Sequence, residues 1–458
     1  MTKAIFLKEI SEGIYGYKFL LVLVTSTILI PLAMYSGASS YKEGLKQYRQ
    51  ATMESEQNFR NQKPKGPHDA AHFGRTISKP PAPLMAMSSG IHDALGVKSQ
   101  IDPHFTPRLS GSRYDATPIL SIFGHFDFAF IIQTIFSLLA IVYSFNLISG
   151  EKEAGTLRLI FSNAVSRNDV LVGKVLGGLV LLFAPMTLAT LIGLVFLTPL
   201  FGVSLDSVSW WRLLLILGAS ALYISLIFLL GVFVSTRTTR TMNSFIILLL
   251  IWASLNFVIP RVAVTVAQSV YRIPSVQEID MQVEGIRREE SEKLSQRIQA
   301  YRASHPESKD KPLPPETAIQ ARQSMDEALE ERESKLMQGY EAAKWSQVHL
   351  AINLSQLSPA SAYTFAVMEL AGTGIYRHNR FLQYLGEFQK GFRSHFDNLE
   401  RQNVRTVDRF DNVPEASFSE ESTSSVIGRI IPETGLIGVL TVILFAGAYF
   451  SFVRYDVR

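Results

Sequence analysis

Six runs of apolar residues, each of membrane-spanning length, constrain this chain more than any motif does. They cover residues 19–36, 122–148, 170–201, 213–235, 244–264 and 434–453. A helix needs about 20 mostly apolar residues to cross about 30 Å of hydrocarbon. Few charges interrupt the runs. A soluble protein would need one very large core to bury all six, so the expected fold is all-α: a polytopic membrane protein with six transmembrane helices. The third run exceeds a single crossing and implies tilt or an interfacial turn. The first has Lys8 and Lys18 before it and Ser36, Gly37 and Ala38 after it, as a cleaved signal peptide would. Its length, and the interfacial character of KEISEGIYGYK before it, favour a retained span.

The rest of the composition mainly excludes. Of 458 residues, 47% are hydrophobic and 18% charged, and there is no cysteine. Disulfides, thiolate metal sites and thiol nucleophiles are therefore out. The net charge of +4 is small, and the basic residues sit at span ends or in mixed-charge helices. No nucleic-acid partner is implied.

Basic residues near span ends orient the chain. Lys3, Lys8 and Lys18 precede the first span. Lys152, Arg158, Arg167 and Lys174 lie between the second and third, and Arg237 and Arg240 between the fourth and fifth. Arg454 and Arg458 follow the sixth. The loop FGVSLDSVSWW between the third and fourth carries Asp206 and no Lys or Arg, and its Trp210 and Trp211 suit an interfacial belt. The expected topology is multi-pass with both termini cytoplasmic. It divides the chain into 1–36 (an interfacial helix and the first span), 37–121 (an extracytoplasmic insert) and 122–264 (spans two to five, with a cytoplasmic helix at 149–169). A second extracytoplasmic insert, 265–433, and the last span with its tail, 434–458, complete it.

Both inserts read as largely helical. Tyr41, Leu45 and Tyr48 recur at helical spacing, so the first span continues outward as an amphipathic helix. PKGPHDAAHFGRTISKPPAPL reads as loop. Val276, Ile279, Val283, Ile286, Leu294, Ile298 and Tyr301 form one stripe. Met325, Leu329, Leu336, Tyr340 and Ala343 form another beyond a Pro-rich break. The pattern predicts an antiparallel helical hairpin over 275–348, read as a charged stalk or as a docking surface for an extracytoplasmic partner. LSPASAYTFAVMELAGTG is too short for a full span, so it lies in the interface or packs on the bundle. Phe381, Tyr384, Leu385, Phe388 and Phe392 make an aromatic stripe, read as core or as interfacial contact.

Catalytic signatures are missing. There is no H-E-x-x-H and no G-x-S-x-G. His68 and His72 are four apart but have no third ligand, so no metal site is expected. His125 and Asp127, in GHFDFAF, sit at the outer end of the second span. An acid there is a functional candidate, against the plainer reading of a helix-start device. Gly173-Lys174 resembles the end of a phosphate-binding loop, but Asn168 replaces the first glycine and Val175 the hydroxyl.

The segment GEKEAGTLRLIFSNAVSRNDVLVGK, with Glu151, Glu153, Gly155, Thr156 and Leu157, then Ser166-Arg167 and Gly173-Lys174, resembles the cytoplasmic signature of permeases of the type-two class of ABC exporters. The usual proline of the Ser-rich turn is replaced by Asn163-Ala164-Val165. KPPAPLMAMSSGIHDAL, GHFDFAFII and LSPASAYTFAVMELAGTG resemble the branch with large extracytoplasmic inserts. The resemblance implies that Glu151, Lys152, Glu153, Gly155, Thr156, Leu157, Arg158 and Arg167 dock on a separate ABC ATPase. Glu151 and Glu153 would favour a helix start and pair with basic residues of that subunit. It further implies export, a second permease copy or a sister permease, and a bacterial inner (plasma) membrane. ATP and Mg would sit on the ATPase, with no cofactor on this chain and no catalysis by it. Two alternatives remain: mechanotransmission to an extracytoplasmic partner through the hairpin, and a membrane-embedded enzyme or sensor centred on Asp127 with no ATPase.

Overall fold

The computed structural model describes residues 1–64, 66–92, 94–101, 107–112, 126–163, 165–201, 205–305, 314–402 and 413–455. The chain divides into two compact units, Met1–Pro260 with Gln356–Arg458, and Arg261–Ser355.

The larger unit opens with α1 (Thr2–Ile14) and α2 (Tyr17–Asn61). At 1.5 Å per residue, the 45 residues of α2 extend about 68 Å, roughly twice the hydrocarbon thickness. Its apolar first half is thus a span and its charged second half lies beyond it. A short helix, α3 (Pro67–Phe73), leads into β1 (Arg75–Ser78), which pairs antiparallel with β2 (Lys98–Ile101). The sequence reading made 64–84 loop. Pro67 at the helix start and the pairing of Arg75–Ser78 with Lys98–Ile101 convert part of it into helix and strand.

The second span, α4, runs over 128–144 and includes a π-helical stretch, Ile131–Phe136. A π turn displaces carbonyls from the normal ladder. Here the carbonyl of Gln133 accepts the Tyr223 hydroxyl at 3.2 Å, and its side-chain oxygen accepts the Thr364 hydroxyl at 2.7 Å. Two short helices follow, α5 (Ser149–Glu153) and α6 (Thr156–Ser162). The third and fourth spans are α7 (Arg167–Phe201) and α8 (Ser207–Arg237). The fifth, α9 (Thr241–Val270), contains a second π turn, Ser254–Val258.

The smaller unit holds α10 (Val276–Ser304) and α11 (Pro315–Ser355). Arg287 pairs with Glu333, Arg332 with Glu289 and Glu290, and Arg297 with Ser324. One number rises as the other falls, so the helices run antiparallel.

The larger unit resumes with α12 (Pro359–Ala371), α13 (Ile375–Arg401) and α14 (Thr423–Val453), the sixth span. Among the described residues, six helices are long and apolar enough to cross a membrane. Of the two placements open to α12, packing on the bundle is the one found. Ala360, Tyr363, Ala366, Val367 and Leu370 are buried in the main core, and the Tyr363 ring stacks on Tyr223 at 4.8 Å. The aromatic stripe of α13 makes a second core. Phe381, Leu385, Phe388, Phe392 and Phe396 close over Phe59, Ala71, Ile77 and Ile101.

Candidate functional site

Residues 149–169, expected as one helix, form two. Gly155 sits between α5 and α6 with φ +72°. That left-handed conformation costs most residues about 1–2 kcal/mol, and glycine avoids the penalty. An added Cβ at Gly155 would meet nothing within 4 Å, so backbone conformation and not crowding demands the glycine. The chain turns sharply there, and each short helix is fixed separately.

α5 is bound to the ends of the spans. The N–H groups of Ile148 and Ser149 donate to the Ser235 hydroxyl at 3.1 and 2.9 Å. Lys174, whose side chain is 10% exposed, pairs with Glu151 at 3.0 Å and with Glu9 at 3.1 Å. Glu151 also accepts from the Thr156 hydroxyl, which links α5 to the start of α6. Lys152 donates to the carbonyls of Thr236 and Thr238, the open end of α8, and lies 4.1 Å from the centre of the Tyr455 ring. Cations are favoured at such an end, where carbonyls lack helical partners. Glu153 accepts from the Thr241 N–H at 2.8 Å and hydroxyl at 2.7 Å, and so caps α9.

The second helix is held by its apolar side. Leu157 is buried and Phe161 lies 6.0 Å from Phe452. Arg167, just beyond, donates to the carbonyls of Val453 and Tyr455 at the end of α14 and stacks over Phe161 at 5.4 Å. Asp169 accepts from Thr2 of α1. Through these contacts the turn touches α1, α7, α8, α9 and α14. The outer surface keeps Ala154, Gly155, Arg158, Leu159, Ser162 and Asn163 exposed, and Leu159 is 67% exposed.

The sequence reading gave Glu151 and Glu153 partners outside the chain. The structure gives both carboxylates, and Lys152 and Arg167, partners inside it. Leu157 points into the core, while Gly155 and Arg158 lie on the exposed face. Glu9 and Lys174 as the centre of the cluster were missed. The available signal was a lysine in the first turns of an apolar span, which needs a counter-charge.

At the outer end of α4, Asp127 is buried. One carboxylate oxygen accepts the Phe130 N–H and the other the Ser89 N–H, both at 2.9 Å. It is a helix cap that also pins a loop, the plainer of its two readings. His125 lies outside the described residues. Among the described residues, no three His, Asp or Glu side chains are grouped to hold a metal ion.

The sequence profile of a family described as ABC-2 family transporter protein matches residues 3–457. No curated protein matches the chain.

Proposed function

As this chain belongs to the ABC-2 transporter family, a family of multi-pass membrane transport components, we propose that it is the permease of an ABC exporter driven by a separate ATPase. The turn made by α5 and α6 is then the surface on which the ATPase docks. The observation that carries this reading is the division of labour within the turn. Its charged residues brace it against the ends of five helices, while Arg158 and Leu159 project outward. A two-helix element cannot bury such a face alone, and an apolar anchor beside a cation suits a protein partner. A push on this face reaches the spans through short contacts rather than through a flexible loop.

In this account both termini and the turn are cytoplasmic, as the basic residues at these span ends favour. ATP binding draws two ATPases together and moves the turns, and the bundle shifts between two arrangements. Substrate moves only if it binds the two arrangements differently. The apolar surfaces exposed on α2, α9 and α14 meet acyl chains or a second permease. The chain itself performs no covalent chemistry. Purification of tagged protein from native membranes tests this. An ATPase should accompany the wild type and be lost from Leu159→Glu, with the variant's melting temperature unchanged. An ATPase retained by the variant would refute docking on this face.

A second reading is favoured by one observation: α10 and α11 form a compact unit of their own. In that reading the hairpin relays the ATPase's work to an extracytoplasmic partner and nothing crosses the membrane. Deleting residues 276–345 would then abolish partner binding and leave ATP hydrolysis intact.

A further inference from the structure

A cavity of about 540 Å³ opens where the outward half of α2 faces the β1–β2 hairpin. This volume falls within the roughly 300–1,000 Å³ typical of small-molecule sites. Hydroxyls stand among its mainly apolar walls: Ser39, Ser40 and Tyr48 from α2, Ser78 from β1, and Ser112. The Ser78 hydroxyl is buried and has no hydrogen-bond partner. Leaving a buried polar atom unsatisfied costs about 1–3 kcal/mol, so such an atom calls for an explanation. Ser78 is the cross-strand partner of Lys98, so the two side chains leave the same face of the hairpin.

Basic side chains stand at and behind the inner wall. Lys79 is 3% exposed and its ammonium donates to the His92 carbonyl at 3.1 Å. Behind Pro81, the buried Arg377 donates to the Pro80 carbonyl at 3.0 Å, and its charge is paired with Glu420. Burial first, then the charges of Lys79, Arg377 and His378, hold the His92 imidazole well below its usual pKa, so it lines the cavity in its neutral form. At the open side Glu43 accepts from Gln47 at 3.1 Å, and Tyr48 offers a flat face.

Gly44 lies between Glu43 and Gln47 on the same wall. Glycine within a helix costs about 1 kcal/mol relative to alanine. An added Cβ here would meet only Pro81, at 3.7 Å, an ordinary contact. Packing therefore does not demand the glycine, and any larger side chain would occupy the cavity.

We propose that this cavity is a binding site for a small polyhydroxylated anion, with the chemistry of a sugar acid. Lys79 and Lys98 supply the charge complement. The serine hydroxyls, the Gln47 amide and the Glu43 carboxylate exchange hydrogen bonds with the ligand's hydroxyls. The Ser78 hydroxyl gains the partner it lacks. Met85, Pro81 and Tyr48 cover the ligand's C–H face. At about 540 Å³ the site is too small for a two-chain lipid. This inference is independent of the ATPase reading, because it concerns the isolated chain.

The test is calorimetric titration of the full chain in detergent with D-glucuronate, against D-glucose as the neutral sugar and acetate as the plain anion. Glucuronate should bind at least about tenfold more tightly than either control. Gly44→Leu should weaken it at least about tenfold without lowering the melting temperature. Lys98→Gln, at an exposed strand position, should weaken it about three- to tenfold, and it decides alone if Gly44→Leu melts early. Glucuronate binding no tighter than the controls, or undiminished in the deciding variant, overturns the proposal.

Discussion

Two charged helical regions of this molecule read alike in sequence and behave differently. In the turn at 149–174, charged side chains connect residues far apart in the chain. Lys174 meets Glu9 and Glu151, Lys152 meets the end of α8, and Glu153 meets the start of α9. In the α10–α11 hairpin, Arg287–Glu333 and Arg332–Glu289 join two adjacent helices through arginines that are 46% and 38% exposed. The first arrangement fixes geometry, because Lys174, Glu9 and Glu151 are partly desolvated and have few alternative partners. The second mainly keeps a surface soluble, since exposed ion pairs contribute about 0–1 kcal/mol and are screened by salt. A charge run thus reveals its role through what it touches and not through its composition.

The contrast can be broken most sharply at Lys174. Lys174→Met strands two carboxylates, and removing one partner of a buried pair costs about 3–5 kcal/mol. Glu9 and Glu151 are 20% and 23% exposed, so the lower end applies. The variant should melt well below wild type in detergent, and adding Glu9→Gln with Glu151→Gln should restore part of the loss.

Glu369, on α12, tests burial against weak partners, the Tyr376 N–H at 3.4 Å and the Arg429 guanidinium. Burial raises its carboxyl to about 7, and the charge of Arg429, 3.8 Å away, only partly offsets this. The folded value exceeds the usual 4.5, so the folded state holds the proton more tightly. Stability is then fully present below about pH 4.5 and is lost as pH rises through about 7. Melting temperature should fall across that window, and Glu369→Gln should flatten the slope.

A smaller effect is expected at the turn itself. Gly155→Ala forces a left-handed alanine and should cost about 1 kcal/mol. It should also weaken ATPase recovery more than its stability loss accounts for. The smallest belongs to the hairpin. Arg287→Ala should leave the melting curve within experimental scatter, and any difference should disappear at high salt.

The spans were legible because membrane-length apolar runs permit few alternatives, and the stripe from Phe381 to Phe392 was legible because helical period and aromatic bulk coincide. The β hairpin was not. Each strand is four residues long, and its pairing joins Arg75 to Ile101 across a Pro- and Gly-rich stretch. At the turn, sequence resemblance found the segment, but the partners of Glu151 and Glu153 come from α6, α7 and α9. No local pattern encodes those meetings. The break at Gly155 was visible as a glycine, though its left-handed φ emerges only once both flanking helices are anchored.

The most direct test of the central claim is site-specific crosslinking in native membranes, with a photoreactive residue at Leu159 in one sample and at Gly285 of the hairpin in another. Docking on the turn predicts an adduct with a nucleotide-binding subunit at position 159 and none at 285. No adduct at 159, or the same adduct at both positions, would contradict it.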